Sequence, residues 1–165
     1  MGGMSNVVRV TCRLIVDRDE SDIWGAAKNK HQELPAVYFI RNLSKVVAYI
    51  SSAPWTGDAT SELSYVPGPP WHRTAPTEYW IAMVDPATDI GVGLYSPIEY
   101  VHWNYGATGN PPGGPTSGPT MHMAPVGVVK MDYNHILSYR SWLIYGDLTE
   151  IRDKVYELHT LHPDG

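Results

Sequence analysis

The sequence has few charged residues, a single cysteine and a single phenylalanine. Charged residues make up 18% of the 165 positions, below the ~25% typical of globular domains. The net charge is −5 and no basic cluster occurs. Because nucleic-acid recognition needs a basic face, we predict no nucleic-acid partner. The lone cysteine, Cys12, excludes an internal disulfide and a cysteine-based zinc site.

Long apolar runs and reaction signatures are also missing. No segment approaches the ~18 apolar residues of a membrane span, so we predict no membrane partner. The first residues, MGGMSN, lack the regions of a signal peptide, and the compartment stays unknown. The sequence has no HExxH or HxH pair and no GxSxG elbow. We therefore predict no metal site and no cofactor, and the usual hydrolase signature is absent.

Glycine, proline, tyrosine and tryptophan take the place of charge. The chain has 15 Gly, 14 Pro, 11 Tyr and 6 Trp, a composition typical of short strands joined by rigid turns. Tyrosine and tryptophan carry a polar tip on an apolar body, which suits half-wet surfaces and ligand clefts. With 43% hydrophobic residues, the chain is apolar enough to bury a real core. We expect one domain over residues 1–165.

Alternating apolar residues predict strands along most of the chain. The central stretch, residues 78–105, begins with a strand that is apolar on both faces, which indicates cover on both sides. Gly91 and Gly93 interrupt the next strand, and glycine there often marks a close approach of another group. Strands are predicted at residues 6–16, 36–40, 45–51, 63–66, 78–85, 90–96, 99–105, 120–131 and 135–145.

Loops and one helix account for the rest. Residues 17–30, 52–77 and 106–119 are predicted loops, the last rich in glycine and proline and expected to be weakly ordered. Asp147 can cap a helix over residues 147–159, with Glu150 at capping-box spacing. About eight or nine strands within residues 5–145 and one C-terminal helix predict an all-β, mainly antiparallel β-sandwich.

Glutamates are the first candidate functional residues. Glu33 and Glu78 each begin or adjoin a strand beside aromatic residues. Two carboxylates facing each other across a cleft can cleave a glycosidic bond, one as acid and the other as nucleophile or base. His31 or His72 can assist them. The alternative is that each glutamate caps a turn or pairs with an arginine, since ion pairs explain most such residues.

Aromatic and histidine side chains are the second group. An exposed indole or phenol face can pack on the apolar face of a sugar ring, while nearby polar groups bond its hydroxyls. Trp80 and Trp142 are predicted to be core residues. His102 and His122 lie on separate strands that can be neighbours, although scattered structural histidines are the competing interpretation. The candidate ligand-binding residues are Trp55, Trp71, Trp103, Tyr38, His72 and His102.

Four segments resemble a known group of proteins. They are HQELPAVY at 31–38, PWHRTAPTEYWIAMVD at 70–85, GVGLYSP at 91–97 and SYRSWLIYGDLTEIRDKVYEL at 138–158. These segments are similar to a β-sandwich region of large, mostly secreted bacterial and plant proteins associated with carbohydrate. The resemblance implies a β-sandwich of the kind seen in carbohydrate-active proteins and supplies no catalytic residue.

Three hypotheses follow. The first is a glycan-binding β-sandwich with a carbohydrate ligand. The second is a glycan-processing enzyme that uses Glu33 and Glu78 with His31. The third is a structural or protein-interaction module. Assembly into a homo-oligomer is compatible with all three.

Overall fold

The computed structural model describes residues 4–17, 26–108 and 121–163. Within these residues eleven strands form two sheets, and one helix closes the chain. In chain order the elements are β1 (Val7–Ile15), β2 (Lys28–Glu33), β3 (Val37–Phe39), β4 (Lys45–Ala48), β5 (Ser61–Glu62), β6 (His72–Thr74), β7 (Trp80–Val84), β8 (Ile90–Tyr95), β9 (His102–Ala107), β10 (Met121–Met131), β11 (Ile136–Asp147) and α1 (Leu148–Leu161).

Sheet A has the strand order β1-β11-β8-β7-β4-β5, and sheet B has the order β2-β10-β9-β6. β3 pairs with the first residues of β10, where Tyr38 lies opposite His122. All of these strand pairs are antiparallel. The predicted antiparallel β-sandwich with a C-terminal helix is therefore confirmed.

The strands that sequence patterns missed are short or polar. β2 includes residues 28–30, which were predicted to belong to the loop 17–30. The sequence pattern did not indicate this strand because KNKHQE has no apolar alternation. It lies at the edge of sheet B, where only β10 pairs with it. β6 lies inside the predicted loop 52–77, and β5 replaces the strand predicted at 63–66. These additions raise the count to eleven among the described residues.

Sheet A is covered on both faces, as the central strand predicted. One cluster of buried residues joins it to sheet B and includes Ile81, Met83, Trp103, Met121 and Met123. A second cluster joins it to α1 through Ile151, Val155 and Leu158. Trp80 and Trp142, the predicted core residues, are both buried in this second cluster, together with Ala82, Val84 and Ile144. Their burial is confirmed. Alternation separates the two faces of a strand without indicating what covers each, and α1 covers this one.

The α1 layer depends on local features that the sequence predicted. Asp147 accepts a hydrogen bond from the Glu150 amide at 2.8 Å, and the Glu150 carboxylate accepts one from the Asp147 amide at 3.1 Å. This completes the predicted capping box. A Cβ atom at Gly93 would lie 2.4 Å from Cγ2 of Ile151, so the glycine permits the helix to pack on β8.

The predicted loop 106–119 lies mostly outside the described residues. Gly106 and Ala107 belong to β9, and Thr108 forms a parallel bridge with Gly68. In the parts of the chain described here, no helix is long and apolar enough to cross a membrane.

Candidate functional site

The two faces of sheet B differ. The face toward sheet A carries core residues, and the opposite face carries polar and aromatic residues. In β9, Trp103 and Tyr105 face sheet A, and in β10, Met121 and Met123 do the same. Since strand residues alternate, the residues between them face outward. We define the outer face of sheet B by His31, Glu33, Tyr38, Trp71, Arg73, His102, Asn104 and His122.

His122 lies at the centre of this face between two aromatic rings. The Tyr38 ring centroid is 4.8 Å from the imidazole centroid, and that of Trp71 is 4.4 Å away. The histidine side chain is fully buried. Burial lowers the pKa of His122, and the neighbouring Glu33 carboxylate opposes that shift only partly. The imidazole is therefore neutral at pH 7.

Both ring nitrogens of His122 lack a hydrogen bond within the described residues. Nε2 lies 3.2 Å from Oε1 of Glu33, but this approach is not aligned for an N–H hydrogen bond. A buried polar group without a partner costs ~1–3 kcal/mol, and most buried polar atoms in native proteins do have partners. Because the imidazole is fully buried between the two rings, the polar group that a ligand can reach here is the neighbouring Glu33 carboxylate and not the ring nitrogens.

Glu33 holds a half-exposed carboxylate beside the imidazole. Nδ2 of Asn104 on β9 donates to Oε1 at 3.0 Å, across the intervening strand β10. The Glu33 side chain is 31% exposed. Oε2 makes no hydrogen bond to any described residue, so it can accept one from a ligand.

Basic side chains flank the carboxylate. The rings of His31 and His102 meet edge to face, with their centroids 6.2 Å apart. Arg73 lies opposite Asn104 on the next strand. Burial lowers the pKa of His102, and the nearby positive charges of Arg73 and His31 lower it further.

The structure brings together five of the residues that the sequence nominated: Glu33, His31, Tyr38, Trp71 and His102. It also adds His122, Asn104 and Arg73. A signal for His122 and Asn104 was present, because each is a polar residue between two core residues on a predicted strand, in MHM and WNY. The predicted neighbourhood of His102 and His122 holds at the level of strands, since β9 pairs with β10.

Glu78 lies in a different layer, between sheet A and α1. Its carboxylate is fully buried. It accepts hydrogen bonds from the amide of Trp55 (3.1 Å), Nε1 of Trp80 (2.9 Å), Oη of Tyr156 (2.6 Å), and Nε (3.2 Å) and Nη2 (2.9 Å) of Arg152. Burial raises the pKa of this carboxyl, but the hydrogen bonds outweigh burial and the pKa of Glu78 is lowered. Glu78 therefore fastens the helix and the loop containing Trp55 to sheet A.

The two glutamates do not share a cleft. Glu33 is on the outer face of sheet B, and Glu78 is on the helix side of sheet A. Packed sheets lie ~10 Å apart, so the carboxyl groups are separated by at least that spacing. Glycosidases that use two carboxylates hold them ~5–9.5 Å apart.

Three nominated ligand-binding residues are also elsewhere. Trp55 stacks on His159 of α1, with ring centroids 3.7 Å apart. Trp103 is fully buried between the sheets. Nε2 of His72 accepts a hydrogen bond from the Val66 amide at 3.0 Å, on the side of β6 that faces the core.

Two adjoining cavities lie where the sheets separate, with volumes of about 350 and 400 Å³. Both are lined by Ile98, Glu99 and Leu137, and neither is lined by a residue nominated from the sequence. Among the described residues no three His, Cys, Asp or Glu side chains are grouped to hold a metal ion.

No protein-family model matches this sequence, and a search of curated proteins finds no significant match. The site is therefore argued from its own geometry.

Proposed function

We propose that this protein binds glycans on the outer face of sheet B. The observation that carries the proposal is the arrangement around His122: two aromatic rings pack on a buried imidazole beside a partly exposed carboxylate. Sugars present apolar C–H faces edged by hydroxyl groups. Aromatic faces and hydrogen-bonding side chains in one place match both features.

Each chemical part of a sugar has a partner on this face. Tyr38 and Trp71 offer ring faces, and the Tyr38 side chain is 48% exposed. Oε2 of Glu33 can accept a hydrogen bond from a sugar hydroxyl. Glu33 and Tyr38 lie on β2 and β3, which both pair with β10, so little ordering of these side chains is needed when a ligand binds.

The resemblance to carbohydrate-associated β-sandwich regions supports the same class. Two of the resembling segments, 31–38 and 70–85, include five residues of the outer face of sheet B: His31, Glu33, Tyr38, Trp71 and Arg73. The proposal joins that resemblance to a defined surface.

A glycan array with the purified chain tests the proposal, followed by calorimetric titration of the best ligand. Tyr38→Ala and Trp71→Ala should each weaken binding about tenfold or more, as for anchor residues in other interfaces. Tyr133→Ala is the matched control, because Tyr133 is 50% exposed in the turn after β10. Absence of binding to every glycan, or equal losses in all three variants, would favour a structural or protein-interaction module instead.

Glycan processing is the second candidate function, and the partly exposed Glu33 carboxylate favours it. A carboxyl group within reach of a ligand can give or take a proton, which is the requirement for general acid–base catalysis. Turnover of aryl glycosides by the parent chain and its loss in Glu33→Gln would establish the activity. No turnover by the parent chain at concentrations where it binds glycan would leave binding alone.

A further inference from the structure

We propose that the glycan bound at this site is acidic, a uronate- or sulfate-bearing chain, and that Arg73, His31 and His102 recognise its anionic group. The inference rests on the proposed glycan-binding function and specifies its ligand class.

Three basic side chains lie on three strands of this face, with His102 between the other two. His31 of β2 and His102 of β9 lean toward each other over β10, with ring centroids 6.2 Å apart. Arg73 of β6 lies beside β9 and is close enough to His102 to perturb its titration. No carboxylate pairs with any of the three within the described residues.

This arrangement is unusual for a chain with a net charge of −5. Among the outward-facing residues that define the face, Glu33 is the one acidic side chain, and Asn104 and His122 already adjoin it. Arg73 is permanently charged, and a neutral imidazole such as His102 can still donate an N–H hydrogen bond to an anionic ligand. Arginine is also the side chain best matched to carboxylate and sulfate geometry, because its guanidinium can donate two parallel hydrogen bonds.

The aromatic rings select a sugar as the carrier of the anion. Trp71 and Tyr38 lie on the same face as Arg73, on either side of His122. A flat sugar ring can pack against them while its acidic group reaches the basic side chains. Single-stranded nucleic acid also combines rings with anions, and the experiment separates it from a glycan.

The experiment measures binding of four probes at one ionic strength. They are oligogalacturonate, the same oligosaccharide after reduction of its carboxyl groups, a sulfated galactan oligosaccharide, and a single-stranded oligonucleotide of equal charge. We expect at least one acidic glycan to bind about tenfold tighter than the reduced, neutral one. The ratio of the two acidic glycans identifies which anion the site prefers.

Variants connect that preference to the basic cluster. Arg73→Gln should weaken acidic-glycan binding about tenfold and leave neutral-glycan binding unchanged, since a charge-assisted hydrogen bond is lost. Arg140→Gln is the matched control, an exposed arginine on β11 of the other sheet. His31→Gln gives a second, independent variant, and a thermal unfolding curve of each confirms folding.

Two results would overturn the inference while the proposed function survives: equal binding of acidic and neutral glycans, or equal losses for Arg73→Gln and Arg140→Gln. Oligonucleotide binding as tight as that of the acidic glycans would also overturn it. Binding of no glycan, acidic or neutral, would overturn the proposed function itself.

Discussion

Replacement of Glu78 by glutamine separates a structural role from a catalytic one. The substitution keeps the shape of the side chain and removes its charge. In the parent chain that charge is fully buried and paired with Arg152, whose side chain is only 16% exposed. The variant leaves the guanidinium without its counter-ion and places an amide N–H₂ group among hydrogen-bond donors.

The expected loss can be worked from these contacts. Removal of one partner of a buried ion pair costs ~3–5 kcal/mol, because the other charge remains uncompensated. Hydrogen bonds to a charged group contribute ~1.5–3 kcal/mol each and are not additive, so the carboxylate's several bonds are consistent with that range. We expect a loss of ~3–5 kcal/mol in the free energy of unfolding.

Urea denaturation at pH 7 measures the loss, with Glu99→Gln as the control. Glu99 is exposed, and its substitution should change stability by less than ~0.5 kcal/mol. The double variant Glu78→Gln/Arg152→Met should lose less than the sum of the single variants, by ~0.5–3 kcal/mol. A loss under ~1 kcal/mol with additive effects would refute the structural role. Folded Glu78→Gln protein should bind glycan as the parent does.

Three further predictions test the fold and its titration. Trp142→Ala should lower the free energy of unfolding by ~3–5 kcal/mol in urea, because the indole is only 2% exposed; a loss under ~1 kcal/mol would contradict its burial. Gly93→Ala should destabilise the chain because its Cβ meets Ile151, and Ile151→Ala in the same chain should recover part of the loss; additivity would argue against the contact. The pKa of His122 is lowered in the folded chain, so as the pH falls the unfolded chain is protonated at this position before the folded chain. The free energy of unfolding should therefore decrease as the pH drops from 7 through 6.5, and it should decrease less in His122→Gln. Equal slopes in the two chains would contradict a buried neutral imidazole.

Local chemistry made much of the fold predictable. The helix cap at Asp147 needs only residues three apart in sequence, and the strands β7 to β11 are long enough for their alternation to be read. The polar edge strand β2 has no such pattern. It pairs with a neighbouring strand on one side only, and most of its residues are exposed, so alternating apolar side chains are not required. Pairing between strands that are far apart in sequence, such as β1 with β11, cannot be predicted from either segment alone, because neither segment indicates which strand lies beside it.

The candidate site was predictable in its residue types and less so in its grouping. Glu33 and Glu78 look alike in sequence, each near aromatic residues, yet one faces solvent and the other binds Arg152 in a buried layer. Which layer covers a strand face is a tertiary property. His122 was visible as a polar residue between two methionines, and only the packing of Tyr38 and Trp71 on it distinguishes it from a scattered structural histidine.

An NMR titration of the ¹⁵N-labelled chain with the best array ligand locates the surface that binds glycan. We expect the shifting amides to cluster on the outer face of sheet B, at Glu33, Tyr38, Asn104 and His122. Shifts centred instead on the cavities beside Ile98, or no shifts with any glycan that the array scores as bound, would contradict it.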